Sequence, residues 1–160
     1  MRRVGRSLAE GAVGSRKGGR DGQAISGALG HLLDQFWSAS ANVRVDGYGG
    51  SIEDRMRFGI EVLTAIRGAV GEDFVVGMRM SGNEMLHNGL SQEDCLTIAT
   101  EYASRGLVDF VNVIGGQARD EMSHAVSLPN MSFPVAPFLH LASAIKREAD
   151  VPVFHAQRIM

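Results

Sequence analysis

Three charged or titratable side chains, Arg79, His31 and Arg158, are the candidates for chemistry in this sequence. Arg79 lies inside the apolar run 75–80. A charged side chain almost never enters a core without a partner, and a buried carboxylate is one candidate for that partner. His31 follows Gly30 and can act as an acid near neutral pH, although a purely structural loop histidine is the alternative. Arg158 follows the last apolar run of the chain, where an exposed terminal arginine is the alternative interpretation.

Alternating strands and helices must position these residues. Nearly continuous apolar segments predict strands at 24–25, 74–80, 108–113 and 151–154. Apolar residues at helical spacing predict helices over 51–70, from Ser91 to Gly106, and over 137–149. Ser51 and Ser91 precede two of these helices as N-caps, each with an aspartate three residues later. Such alternation is typical of an α/β fold with a parallel sheet covered by helices.

Two segments depart from this regular pattern. Residues 1–20 are rich in Gly, Arg and Ser, and their composition predicts a poorly ordered basic arm separate from the domain at 21–160. A nucleic-acid arm is the alternative for 1–20, but no aromatic residues lie between its arginines. The loop 115–134 is long for an α/β unit, and long ordered loops are usually functional.

Composition excludes several classes of protein. The net charge of −2 argues against a general nucleic-acid or membrane footprint. The single Cys95 excludes an internal disulfide framework and suits a reducing, cytoplasmic compartment. No apolar run approaches the ~20 residues of a membrane helix, and no secretory signal follows the N-terminal arginines. The histidines show no metal-ligand spacing, so no metal site is predicted.

The segment 42–58 carries a long motif between the first predicted strand and the first predicted helix. It reads Asn-Val-Arg-Val-Asp-Gly-Tyr-Gly-Gly-Ser-Ile-Glu-Asp-Arg-Met-Arg-Phe. This motif resembles a signature of the old yellow enzyme family, the FMN-dependent NADH:flavin oxidoreductases. The loop 115–134 resembles the branch containing trimethylamine dehydrogenase and 2,4-dienoyl-CoA reductase. The matching residues are Asn42, Arg44, Asp46, Tyr48, Gly49, Gly50, Ser51, Glu53, Arg55, Arg57 and Phe58.

The resemblance implies roles for individual residues. Arg79 matches an arginine that contacts N1 and O2 of the flavin ring, and Arg158 matches one beside the FMN phosphate. His31 takes the place of a tyrosine that donates a proton or contacts substrate. Ser26 and Leu29 take positions that line the flavin face and contact substrate, where relatives often carry polar residues. Leu29 cannot donate a hydrogen bond, so one polar contact to an anionic substrate oxygen is lost.

The resemblance also implies a fold and an activity. The family fold is a (β/α)8 TIM barrel of ~250 residues, so this chain is expected to hold roughly strands four to seven, and a helix is expected within residues 1–20. The implied function is that of a fragment of an FMN enzyme that transfers hydride with NADH or NADPH and a small-molecule substrate, such as an amine or N-methyl amino acid. One alternative is a non-catalytic half-barrel that associates with itself or another chain. An aldolase-type barrel is a weaker alternative, because no predicted strand carries a lysine.

Overall fold

The computed structural model describes residues 2–159. Their order is α1 (Arg2–Lys17), β1 (Gly22–Gly27), α2 (Leu32–Trp37), α3 (Ile52–Val70), β2 (Val75–Ser81), α4 (Gln92–Ser104), β3 (Phe110–Ile114), α5 (Glu121–Ser127), α6 (Leu139–Glu148) and β4 (Val153–His155). The four predicted strands and three predicted helices are therefore present, with ends shifted by a few residues. The long loop 115–134 contains the short helix α5, which the sequence did not predict.

The strands form one parallel sheet in the order β1-β2-β3-β4. Ser26 pairs with Arg79, Arg79 with Asn112, and Asn112 with Phe154, so these four residues form one row across the sheet. Sequential parallel strands joined by helices are the arrangement found in an eight-stranded α/β barrel. The described residues supply four such strands.

The two faces of the sheet differ because side chains alternate along each strand. One face packs against the helices and is buried, with Ile25, Val76, Met78, Met80, Val111 and Val113 in the core. The opposite face, which would line the interior of a closed barrel, exposes Val75 and Phe154 and leaves Phe110 half-buried over Gly77. Arg79 also lies on this uncovered face.

Two helix starts follow the capping pattern read in the sequence. The Ser51 hydroxyl accepts a hydrogen bond from the Asp54 backbone N–H at the start of α3. At the start of α4, Ser91 and Asp94 form a complete capping box, with each side chain bonded to the backbone of the other residue. Such caps satisfy N–H groups that have no partner within the helix.

Helix α1 corrects the composition-based prediction of a poorly ordered arm. Residues 2–17 are helical, and α1 packs on α3 through Ala9 and Ala12, which are both buried. The Ser15 hydroxyl donates to Gln23 Oε1 at 2.6 Å and ties the end of α1 to β1. The composition was misleading because two small residues three positions apart are enough for close helix packing. The helix expected from the family resemblance is present.

The motif at 42–58 forms most of the loop between α2 and α3 and the first turns of α3. Asn42 Nδ2 donates to the carbonyl oxygen of Tyr48 at 2.6 Å and holds the loop closed. A Cβ built on Gly49 would overlap the carbonyl oxygen of Arg44, so only glycine fits there. The motif at 42–58, which carries the family resemblance, therefore fixes the path of the chain between α2 and α3. Among residues 2–159, no helix is long and apolar enough to cross a membrane.

Candidate functional site

The candidate site lies at the carboxyl ends of the strands, where the loops following β1, β2, β3 and β4 converge. Active sites of α/β barrels form at this end because the strand-end side chains and the following loops meet there. All five residues singled out for function in the sequence lie on these strands or loops. The sections of chain that carry them are widely separated in sequence.

Arg79 is exposed on the uncovered face of β2. Within residues 2–159 its guanidinium makes no hydrogen bond or ion pair, so the structure provides no buried carboxylate as its partner. The Oδ1 atom of Asn112, its neighbour in the sheet, is buried and also lacks a hydrogen-bond partner. An uncompensated cation and an unsatisfied amide therefore lie side by side on one face of the sheet. Unsatisfied polar groups of this kind are candidates for ligand contacts.

Arg158 shares a cavity with Arg79. The cavity has a volume of about 390 Å³, and its lining comprises Arg79, Ser127, Leu128, Pro129, Gln157 and Arg158. Arg158 Nε donates to the carbonyl oxygen of Phe133 at 3.0 Å, whereas its terminal nitrogens have no partner among residues 2–159. Two cationic side chains from different strand ends thus line one cavity without a neutralising carboxylate in the described part of the chain.

The backbone beneath Arg158 adopts an unusual conformation. Gln157 has φ 119° and Arg158 has φ 42°, although neither is glycine. The Gln157 side chain holds this turn: Oε1 accepts from Gly115 N at 2.6 Å, and Nε2 donates to the carbonyl oxygens of Gly115 at 2.9 Å and Ser127 at 2.6 Å. Positive φ at non-glycine residues is costly, and it concentrates at functional sites where surrounding contacts enforce it.

Ser26 and His31 form a second part of the site. Ser26 Oγ lies 2.6 Å from His31 Nδ1, a hydrogen-bonding distance, and both residues are exposed. His31 is the N-cap residue of α2 but makes no capping bond with its side chain. Leu29 lies in the same loop with φ 58° and is half-buried. The structure therefore brings Ser26 and His31 together, and the sheet register places Ser26 beside Arg79.

Two acidic residues near this site were missed by sequence analysis. Asp34 and Glu84 have no exposed surface. Burial, and then the neighbouring Glu84 carboxylate, raise the pKa of Asp34 to about 7. Burial raises the pKa of the nearby Cys95 thiol, and the negative charges of Glu84 and Asp34 add to that rise. A detectable signal was the position of Asp34 inside the apolar helix Leu32–Trp37.

A larger cavity, of about 660 Å³, lies away from the strand ends. It is bounded by α1, α3 and the loop before α3, and its lining includes Arg6, Tyr48 and Glu61. It contacts no residue of the four strands, so its size does not connect it to the chemistry of the strand-end loops. The smaller cavity is the better candidate because it contains two cationic side chains without counterions.

Comparison with known proteins establishes the family context. Residues 4–160 match the NADH:flavin oxidoreductase / NADH oxidase family. The match begins at residue 4 and so includes most of α1. The family implies FMN as cofactor and a nicotinamide nucleotide as reductant, as the motif at 42–58 predicted.

Individual relatives are similar over almost the whole chain. N,N-dimethylglycine/sarcosine dehydrogenase of Chromohalobacter salexigens is 48% identical over 157 residues, which are 98% of this chain and 23% of that protein. A multifunctional alkene reductase/demethylase of Caballeronia cordobensis is 44% identical over 160 residues, 99% of this chain and 23% of that protein. The chain thus spans less than a quarter of the length of these relatives.

A solved structure confirms the fold class. A 2-naphthoyl-CoA reductase complex superimposes with a TM-score of 0.90 at 26% identity, covering 99% of this chain and 24% of that chain. The prediction of an α/β fold corresponding to part of a (β/α)8 barrel is confirmed.

Proposed function

Because the chain belongs to the NADH:flavin oxidoreductase / NADH oxidase family, we propose that it forms part of an FMN-dependent oxidoreductase that transfers hydride between FMN and a small molecule. The observation that carries this proposal is the cavity shared by Arg79 and Arg158. Neither guanidinium is neutralised by a carboxylate within residues 2–159. A cavity with two such cations suits a ligand that carries negative charge.

The residues present fit FMN. The edge of the flavin ring carries hydrogen-bond acceptors and one donor. The Arg79 guanidinium can donate to such acceptors, and the unsatisfied Asn112 Oδ1 can accept from such a donor. The free terminal nitrogens of Arg158 would hold the phosphate. When bound, FMN supplies the hydride chemistry. Arg79 would stabilise negative charge that develops on the ring, which is how a protein tunes a bound cofactor.

His31 would exchange the proton that accompanies hydride transfer, and Ser26 would orient His31. The contact between Ser26 Oγ and His31 Nδ1 fixes the orientation of the imidazole ring. His31 Nε2 then remains as the atom that exchanges a proton with substrate, because Nδ1 is already engaged. Imidazole suits this role near neutral pH.

The substrate class that we propose is an amine or an N-methyl amino acid. The relative at 48% identity is named for N,N-dimethylglycine and sarcosine, and the relative at 44% identity is named both demethylase and alkene reductase. Leu29 favours the amine class, because a leucine cannot donate a hydrogen bond to the carbonyl oxygen of an enone. Reduction of an enone depends on polarising that oxygen, whereas oxidation of an amine does not.

A chimera tests the flavin assignment. Residues 4–159 would replace the matching segment of the C. salexigens dehydrogenase, and FMN content and the rate of flavin reduction would be measured by absorbance and stopped flow. We expect Arg79→Met to weaken FMN binding and slow reduction ten- to a hundredfold, since a charge-assisted hydrogen bond contributes ~1.5–3 kcal/mol. Arg79→Lys should restore part of this loss, because an ammonium lacks the planar fork.

The matched control is Arg147→Met, on the exposed face of α6. This variant should bind FMN and reduce it as the parent chimera does. If Arg79→Met retained parental affinity and rate, the assignment of β2 to the flavin would be wrong.

A second candidate function is a half-barrel that associates without catalysis. It is favoured by the uncovered sheet face with Val75 and Phe154 exposed, and by the open edges of β1 and β4. Exposed sheet edges and apolar patches drive association. Sedimentation velocity on the purified chain should show dimers or larger species. A monodisperse monomer with a well-dispersed amide spectrum would exclude this function.

A further inference from the structure

Two fully buried carboxyl groups lie beneath the loops of the candidate site. Asp34 belongs to α2, which follows β1, and Glu84 belongs to the loop that follows β2. Asp34 Oδ2 accepts hydrogen bonds from Gly30 N at 2.7 Å and from Gln117 Nε2 at 3.5 Å. Glu84 Oε2 accepts from Ser38 Oγ at 2.5 Å and, by a second bond, from a backbone N–H at 2.6 Å. The pair therefore connects the loops after β1, β2 and β3.

The remaining oxygen of each carboxyl group is buried and lacks a donor. These atoms are Asp34 Oδ1 and Glu84 Oε1. Ser38 links the two residues, since its N–H donates to the Asp34 carbonyl oxygen at 2.9 Å and its hydroxyl donates to Glu84 Oε2 at 2.5 Å. The Glu84 carboxylate is close enough to raise the pKa of Asp34. Two ionised carboxylates in this position would repel each other and lack solvation, whereas one proton between them supplies the missing donor. A shared proton thus satisfies one unsatisfied oxygen on each side.

We propose that Asp34 and Glu84 share one proton and that this bonded pair positions the loop carrying His31 against the loops after β2 and β3. The bond from Gly30 N to Asp34 anchors the residue directly before His31. Glu84 anchors the other side, because its carboxylate accepts from Leu90 N and its backbone carbonyl oxygen accepts from Ser123 Oγ at 2.7 Å. Asp34 and Glu84 are positioning residues, since the loop that they hold carries the proposed acid.

Within the described residues 2–159, no cationic side chain forms an ion pair with Asp34 or Glu84. Arg119 Nη1 donates to Ser40 Oγ at 2.9 Å, and its side chain carbon Cγ lies near Gly30. Arg55 is engaged with Asp94 at 3.7 Å and with the Trp37 carbonyl oxygen. The elements around the pair carry the charged or titratable residues His31, Arg55, Asp94, Cys95 and Arg119, and the loops that hold it also carry His87 and Asp120. A proton is therefore the available means of reducing the negative charge of the pair.

The proposal predicts a pH dependence with a definite sign. We call the arrangement closed when Asp34 and Glu84 hold the loop with His31 in place, and open when that loop has separated from the pair. Between the ordinary pKa of Asp34, 3.8, and its raised value of about 7, the closed arrangement holds one more proton than the open one. Closing should weaken tenfold for each pH unit across that interval, up to on the order of a thousandfold, and level off above it. The Gly30 amide reports on closing, because its N–H is bonded to Asp34.

The test uses amide hydrogen exchange and infrared spectroscopy on the purified 160-residue chain. After correction for the intrinsic rate, protection of the Gly30 amide should fall as pH rises from about 4 to about 7. Infrared difference spectra between about pH 5 and about pH 9 should show loss of a protonated carboxylic acid band. Asp34→Asn should remove that band and make Gly30 protection independent of pH, because the amide keeps the hydrogen bond but cannot release a proton.

Two further variants complete the design. Glu84→Gln should give the same result as Asp34→Asn. The glutamine amide can donate to Asp34 Oδ1, and its carbonyl oxygen can accept from Ser38 and the backbone. If one of the two variants does not fold, the other still tests the proposal. Asp73→Asn, in the exposed turn before β2, should keep the band and the pH dependence. The proposal is overturned if the wild-type chain shows no acid band that either variant removes, or if Gly30 protection follows pH equally in all of them.

The catalytic consequence of this pair rests on the proposed function, but these measurements do not. Exchange and infrared data on the chain without flavin report on the pair alone. If the pair behaves as expected and the chimera does not bind FMN, the flavin assignment fails and the positioning of the loop stands.

Discussion

A glycine in the middle of α3 makes the sharpest test of how the core is packed. Gly59 lies where α3 meets α4, directly against Tyr102. The Tyr102 hydroxyl accepts from Trp37 Nε1 at 3.0 Å and donates to the Met56 carbonyl oxygen at 3.0 Å. A Cβ added at Gly59 would overlap that hydroxyl oxygen and lie 3.1 Å from Trp37 Nε1. Gly59→Ala must therefore displace Tyr102, which is fully buried and makes two hydrogen bonds through its hydroxyl.

Opposing terms decide the size of the effect. Replacing a helical glycine by alanine normally stabilises the helix by ~1 kcal/mol. Overpacking a dense core costs ~1–3 kcal/mol, and leaving a buried hydrogen-bonding group unsatisfied costs a further ~1–3 kcal/mol. Together these terms predict that Gly59→Ala destabilises the chain by about 1–5 kcal/mol, a large part of the ~5–15 kcal/mol that a domain of ordinary stability has.

The same helix provides a matched control. Gly68 also lies in α3, and a Cβ built there meets no atom within 4 Å. Gly68→Ala should therefore stabilise the chain by ~0.5–1 kcal/mol. Urea unfolding followed by circular dichroism at fixed protein concentration compares the two variants with the wild-type chain.

A double-mutant cycle identifies the cause of the destabilisation. Tyr102→Phe removes the hydroxyl that the new methyl group would overlap. In that background Gly59→Ala should cost less, with a coupling energy of at least ~1 kcal/mol. If Gly59→Ala proved as stable as Gly68→Ala, or if the two changes at Gly59 and Tyr102 were additive, this account of the α3–α4 contact would be refuted.

Three further predictions concern pH, capping and cofactor binding. Because the pKa of Asp34 is raised from 3.8 to about 7, its contribution to the unfolding free energy is present below about pH 4, declines by up to about 4 kcal/mol as pH rises to about 7, and is constant above. A series of urea unfolding curves should show this as the difference between the wild-type chain and Asp34→Asn, and a difference of the opposite slope would contradict it. Ser91→Ala removes the capping box of α4 and should lower the unfolding free energy by ~1 kcal/mol in the same assay, whereas an unchanged midpoint would show that the cap is dispensable. The 160-residue chain alone should bind FMN weakly or not at all in a fluorescence titration, because its cavity is open to one side of the sheet and ligand sites bury most of their ligand; submicromolar stoichiometric binding by a monomer would contradict this.

Much of the local structure follows from patterns of a few residues. The Ser51 and Ser91 caps mark the starts of α3 and α4 in the sequence and in the structure alike. The apolar runs identified the four parallel strands, although most strand and helix bounds were displaced by one to two residues. These features depend on neighbours along the chain, which the sequence displays directly.

The candidate site was predicted only in part. Arg79, His31 and Arg158 were singled out by charge in an unusual setting and by family resemblance, and the structure places them at the strand ends. The lack of a partner for Arg79 within residues 2–159 was not predictable, because a carboxylate from any part of the chain could have met it. The Asp34–Glu84 pair was missed because an acidic residue among apolar ones gives no indication of which distant residue faces it.

The sequence by itself determined the family, through the motif at 42–58, and the order of strands and helices, through period and capping. Only the tertiary structure decided that α1 packs on α3, that Arg79 and Arg158 share a cavity, and that Asp34 lies close to Glu84. The physical reason is the range of the interactions. Periodicity and caps act within one turn of helix or one strand, whereas the packing of α1 on α3 and the meeting of charges depend on strand register and loop geometry, which join residues far apart in the chain.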